Sequence, residues 1–187
     1  MEYIIDTSTW VSLIRYYKPF DSGSVIYDFF KRKIENNEFV VLDEVSKECE
    51  YLSRGLVVKE LDYIKDKNFI TKRLNIQSTK KFYSLLENQF CNAFERRQLE
   101  DYEIENQTES FIKSADAEII ITAIAKKDEG KKVVVVTEET IASNDKKLFK
   151  KIPAMCSALD IECLKLPELI KRFDKEISIA VRYAMED

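Results

Sequence analysis

The chain has 187 residues, 45% apolar and 34% charged, and its thirty basic and thirty-four acidic side chains leave a net charge of −4; it suits one domain with a proper core and carries no global field that would draw it to nucleic acid. Glycine and proline total six, about a quarter of ordinary usage, which favours long helices over an all-β sandwich. Histidine is absent, which excludes Ser–His and Cys–His nucleophilic catalysis and His-ligated zinc, and the isolated Gly23, Gly55 and Gly130 can build neither a phosphate loop nor a dinucleotide fingerprint.

The N-terminal MEYIID has no basic stretch ahead of an apolar run, so no signal peptide is expected. Residues 3–5 form a short β-branched run that reads as a first strand ending in Asp6. A helix is expected over about 25–36, with Val25, Ile26, Phe29, Phe30 and Ile34 on one face and Ser24 as its N-cap. Phe39–Leu42 reads as the second strand. Asp43 would cap the next helix, whose inner stripe is Val45, Cys49 and Leu52 and whose margin carries Glu48.

The middle, from about 56 to 110, has no strand-like run and reads as a helical insertion. Its residues 65–97 hold eight basic and three acidic residues, whereas 100–109 hold five acidic and no basic ones. A helix over about 115–127 is apolar nearly all round and so belongs at the centre of the protein, with Lys126 and Lys127 in its last turn. It is interrupted by Asp116 and Glu118 and is too short to span a bilayer. Val133–Val136 reads as a third strand and residues 161–164 as a weaker fourth. Cys49, Cys91, Cys156 and Cys163 include no CxxC pair and read as reduced thiols. The expectation is a cytoplasmic, membrane-free protein, residues 1–187 forming a single α/β domain around a mostly parallel sheet of four or five strands.

In open parallel sheets, ligands bind outside the carboxyl ends of the strands. Asp6 ends the first strand; Asp43 and Glu44 follow the second, with Glu48 one turn further; Thr137, Glu138 and Glu139 follow the third; and Asp116 opens the apolar helix behind Ser114. Carboxylates converging in one cleft raise one another's pKa unless a cation neutralises them, and hard oxygen donors without imidazole or thiolate select Mg²⁺ or Mn²⁺. Such a site is suited to phosphodiester hydrolysis.

These stretches resemble PIN-domain nucleases. YIIDTSTWVSL is similar to their opening, an Asp after the first strand with a Thr or Ser following. VLDEVSKECEYL resembles their second motif, with Glu48 in a V-x-x-E frame. SADAEIIITAIAKK resembles the third, placing Asp116, and VVVVTEE resembles the fourth, T-x-D, with Glu139 where Asp is more usual. Glu138 stays open as the alternative fourth acid. Residues 151–170, KIPAMCSALDIECLKLPELI, resemble a toxin-like PIN branch whose members have no assigned substrate. The resemblance covers most of 1–56 and 112–173. It implies a PIN-like three-layer fold and a metal-dependent endoribonuclease of the VapC type, the toxin component of a type II toxin–antitoxin module. It also implies an antitoxin partner that blocks the cleft, a homodimer, and Asp6, Glu48, Asp116 and Glu139 as Mg²⁺ or Mn²⁺ ligands. Water would attack the phosphodiester in line, with Thr7 or Ser8 orienting a carboxylate or the water.

Two other readings compete. A haloacid-dehalogenase-like phosphohydrolase would want a second Asp two residues after Asp6, where Ser8 stands. A non-catalytic PIN-like scaffold binding RNA or protein would have little use for acids at all four positions. Against the overall charge, RNA would need local cations: Lys72, Arg73, Lys80, Lys81, Arg96 and Arg97 in the insertion, or Lys146, Lys147, Lys150 and Lys151 after the fourth motif.

Overall fold

The computed structural model describes residues 1–21, 23–71, 80–141 and 146–178. Its strands are β1 (Glu2–Ile5), β2 (Phe39–Leu42), β3 (Ile70–Thr71), β4 (Val133–Val136) and β5 (Glu162–Leu164). They form one sheet in the order β3-β2-β1-β4-β5, every pairing parallel and the sheet flanked by helices. β1 pairs Ile4 with Val40 on one side and Val135 on the other. Continuous β-branched runs suit strands covered on both faces, and β2 and β4 are buried at every residue. The chain builds outward from β1 through β2 to β3, then crosses back to lay β4 on the other side of β1. That reversal makes the carboxyl ends of β1 and β4 a topological switch point, where such sheets form their crevice.

The helices are α1 (Thr7–Ser12, prolonged by a π turn at Leu13–Tyr17), α2 (Val25–Glu35), α3 (Asp43–Tyr51), α4 (Leu56–Glu60), α5 (Lys80–Leu85, prolonged by a π turn at Leu86–Phe90), α6 (Ala93–Arg96), α7 (Asp101–Ile112), α8 (Ala115–Asp128), α9 (Ile152–Ala158) and α10 (Leu166–Arg172). α8 is the central helix that its composition anticipates: Ala115 and every residue from Ala117 to Ala123 is buried. Each buried isoleucine there is worth about 1.5–3 kcal/mol over an exposed one. Lys126 in its last turn pairs with Glu2, and Lys127 donates to the carbonyls of Leu159 and Asp160 at 2.7 and 2.8 Å. Below the sheet's other half, Phe29, Phe30, Phe39, Trp10, Tyr3 and Phe173 meet mainly edge to face, with centroids 5.3–6.0 Å apart.

Three local expectations are corrected. Ser24 sits at the N-cap of α2 with φ 58° and makes no side-chain cap; the Asp21 carboxylate reaches forward instead and accepts from the amides of Val25 and Ile26 at 2.9 and 3.2 Å. Asp43 is the first residue of α3 rather than its cap, and its carboxylate pairs with Lys47; the α3 amide of Glu44 donates to Glu118 of α8 at 2.7 Å. The middle segment is not purely helical either, because Ile70–Thr71 pairs with Val41 and Leu42 as an edge strand too short to carry any periodicity. α3 ends abruptly where Ser53, Arg54 and Gly55 all take positive φ; a Cβ at Gly55 would meet the Glu50 carbonyl at 2.8 Å, so only glycine fits.

Among the described residues no helix is long and apolar enough to cross a membrane.

Candidate functional site

Asp6 follows β1 at the N-cap position of α1, and only 5% of it is exposed. Its carboxylate makes no cap there. Oδ2 accepts from Ser8 Oγ at 2.5 Å and from Thr137 Oγ1 at 2.8 Å, Thr137 being the residue after β4. Both hydroxyls pass the connection on: Ser8 Oγ accepts from the Glu138 amide and Thr137 Oγ1 from the Glu139 amide, each at 3.1 Å. Thr7 Oγ1 donates to Glu48 Oε2 at 2.8 Å, and Thr9 Oγ1 to the Val136 carbonyl at 3.2 Å. The TST tripeptide thus lashes β1 to the end of β4 and to α3, and both candidate hydroxyls, Thr7 and Ser8, orient carboxylates.

Glu139 lies where α9 begins and accepts from the Ile152 amide at 3.1 Å. Glu138 turns away, accepting from the Leu166 amide of α10 at 2.8 Å and lying near Tyr17. The pair thus caps two different helices across the bend that follows β4, and Glu139 is the one whose charge acts on Asp116. Asp116, in the first turn of α8, is half-buried, and among the described residues no group donates a hydrogen bond to it.

The electrostatics follow this arrangement. Burial, reinforced by the charges of Asp6, Glu139 and Glu48, pushes the Asp116 carboxyl up to about 7, with Lys147 opposing. Burial also raises Glu48, offset by the Thr7 hydroxyl and reinforced by Asp6 and Glu44. Glu139 is raised by burial and by Asp6, against the Ile152 amide, Lys147 and Lys151. Asp6, Glu48 and Glu139, the other three acids of the sequence reading, therefore lie within electrostatic reach of Asp116 near the β1/β4 switch point. As they stand, no three Cys, Asp or Glu side chains among the described residues are grouped closely enough to hold a metal ion.

The basic candidates divide. Lys146, Lys147, Lys150 and Lys151 line an open cleft of about 380 Å³ that Asp116 also lines. Cations thus stand beside Asp116 in space. Lys81 pairs with Asp128 at the opposite end of α8, about 18 Å from Asp116 at 1.5 Å per residue, and so does not flank the cleft. Arg96 borders a smaller pocket with Cys91 and Phe149. Lys72 and Arg73 lie outside the described residues.

Two participants were missed. Thr137 appeared only as part of a motif, although its alignment behind β4 was signal enough. Glu118, 2% exposed, caps α3 and so positions the helix that carries Glu48; an acid inside an otherwise apolar helix was the clue.

The chain belongs to the family described as a domain of unknown function (DUF4411), whose profile matches residues 3–177. No curated protein and no solved structure matches it.

Proposed function

We propose that the protein is a metal-dependent endoribonuclease and that Asp6, Glu48, Asp116 and Glu139 hold Mg²⁺ or Mn²⁺. The observation that carries the reading is the gathering of four carboxylates, from four separate elements, at the switch point of a parallel sheet, with Asp116 raised to about 7 by burial and then by its like-charged neighbours. The donor set fits a hard cation. Among the described residues no three Cys, Asp or Glu side chains are grouped closely enough to hold one as they stand, so the acids would have to draw in on the ion. A bound Mg²⁺ or Mn²⁺ supplies Lewis acidity, neutralising charge at the phosphodiester and acidifying water. The chain's own residues do the positioning. Thr7 fixes Glu48, Ser8 and Thr137 fix Asp6, and the α9 amide fixes Glu139, so these three carboxylates are each aimed by a neutral donor.

The resemblance to VapC-type toxins extends the proposal to a type II toxin–antitoxin module, with a protein antitoxin covering the cleft and a homodimer as the assembly. Free Cys49, Cys91, Cys156 and Cys163 fit action in the reducing cytoplasm.

Cleavage of a fluorogenic RNA with Mn²⁺, with EDTA, and by Asp6→Asn and Asp116→Asn tests the reading. Exchanging a carboxylate for an amide removes the charge that holds the cation, and losing several kcal/mol of charge stabilisation slows cleavage by at least about a hundredfold. Persistence of wild-type cleavage in EDTA, or full activity of Asp116→Asn, sinks it. Absence of any specific Mn²⁺ isotherm would favour a non-catalytic scaffold.

A further inference from the structure

The cleft beside Asp116 is more than a basic patch. Its floor is the half-buried ring pair Phe111 and Phe149, centroids 4.6 Å apart and planes 33° apart, contributed by α7 and by the segment after β4. That segment is held rigidly against the insertion: the Asn92 amide donates to Leu148 and the Lys150 amide to Phe90, at 2.7 and 2.8 Å, and Lys150 Nζ is tied to the Gln89 carbonyl at 2.7 Å. Lys146 and Lys147 stay exposed at the rim, while Gln107 brings an amide with both a donor and an acceptor. Aromatic faces, exposed ammonium groups and a polar edge are the elements that hold an unstacked base and its phosphate.

We propose that this cleft is a subsite for one nucleotide of single-stranded RNA, its base laid on Phe149 and its phosphate met by Lys146 and Lys147, next to Asp116. The substrate class rests on the nuclease reading above. A volume of about 380 Å³ accommodates one nucleotide, and a base still paired in a duplex cannot reach the ring floor. The insertion thereby gains a role: α7 supplies one wall, and the strand-like bridge between Cys91 and Phe149 fixes the other.

Fluorescence anisotropy of a labelled RNA octamer in EDTA reads the pocket without cleavage. Wild type is expected to bind the octamer about five- to a hundredfold more tightly than the same strand with its two central bases removed, the range that stacking of a base on an aromatic ring supplies. Phe149→Leu, checked for folding by circular dichroism, should erase that preference and leave affinity for the base-deleted strand unchanged. Lys147→Glu should weaken both strands and flatten the salt dependence by a slope of about 0.7 per lost contact. Equal binding of the two strands by wild type overturns the inference, as does equal weakening of both by Phe149→Leu. Duplex RNA or a polyglutamate peptide binding as tightly as the octamer overturns it too, the latter assigning the cleft to a protein partner. A base preference without Mn²⁺-dependent cleavage would leave the subsite standing and refute the nuclease, whereas cleavage without a base preference would do the reverse.

Discussion

Asp116→Asn should stabilise the metal-free protein, and only above acidic pH. In the folded chain the Asp116 carboxyl ionises near 7, against 3.8 for a free aspartate, so between those values the folded state holds a proton that the unfolded state has released. Stability therefore falls as pH rises from about 4 to about 7 and is level beyond. The interval sets a ceiling of roughly 4 kcal/mol at about 1.4 kcal/mol per pH unit. Water reaches the half-buried carboxyl and screens Asp6, Glu48 and Glu139, which leaves about 1–2 kcal/mol. An amide never ionises and escapes the whole effect. For a chain of this length the gain is about 2–8 °C in Tm at pH 8, vanishing near pH 4. Thermal unfolding in EDTA across pH 4–8 measures it. Manganese at about a hundred times its dissociation constant should then add about 2.7 kcal/mol to wild type and much less to the variant. A variant no more stable than wild type at pH 8, or a gain that does not change with pH, refutes the electrostatic account of the cleft.

The two adjacent glutamates should separate by assay. Glu138→Ala strips the cap from α10 and costs about 0.5–2 kcal/mol in urea unfolding while sparing Mn²⁺ affinity, whereas Glu139→Ala costs both stability and affinity in titration calorimetry. Glu118→Ala leaves the Glu44 amide without its acceptor and should lose about 1–3 kcal/mol of stability; because α3 then loses its registration on α8, Mn²⁺ affinity should fall although Glu118 is outside the acid cluster, and unchanged affinity would show that α3 is held by packing alone.

Sequence reading reached the elements whose signal is local and stopped where the partner is distant. β1, β2 and β4 announce themselves as β-branched runs, β5 more weakly as the apolar-edged stretch 161–164, and α8 as a helix apolar nearly all round. β3 has two residues, too few for any pattern. The caps of α2 and α3 were misassigned to Ser24 and Asp43, the nearest polar residues, because the acceptors come from Asp21, four residues upstream of Val25, and from Glu118, 74 residues from Glu44. The placement of acids at strand ends was legible because parallel topology fixes where such ends point. The choice between Glu138 and Glu139 was not, since it depends on which of two helices, still to be placed, each side chain meets. Nor could charge counting separate Lys147, in the cleft, from Lys81, at the far end of α8.

One asymmetry ties the geometry to the proposed chemistry. Asp6, Glu48 and Glu139 each accept a hydrogen bond from a hydroxyl or amide, and Asp116 accepts none among the described residues. Burial first, and then the repulsion of its neighbours, therefore weigh on Asp116, which α8 carries and which lines the open cleft. On the proposed chemistry, a proton and a divalent cation would compete there for the same oxygens. Supplying Asp116 with a hydrogen-bond donor of its own would relieve the fold and dull that competition. The hydroxyls of Thr7 and Ser8 serve Glu48 and Asp6 instead, and among the described residues none serves Asp116, at the point where the proposed phosphodiester would be met.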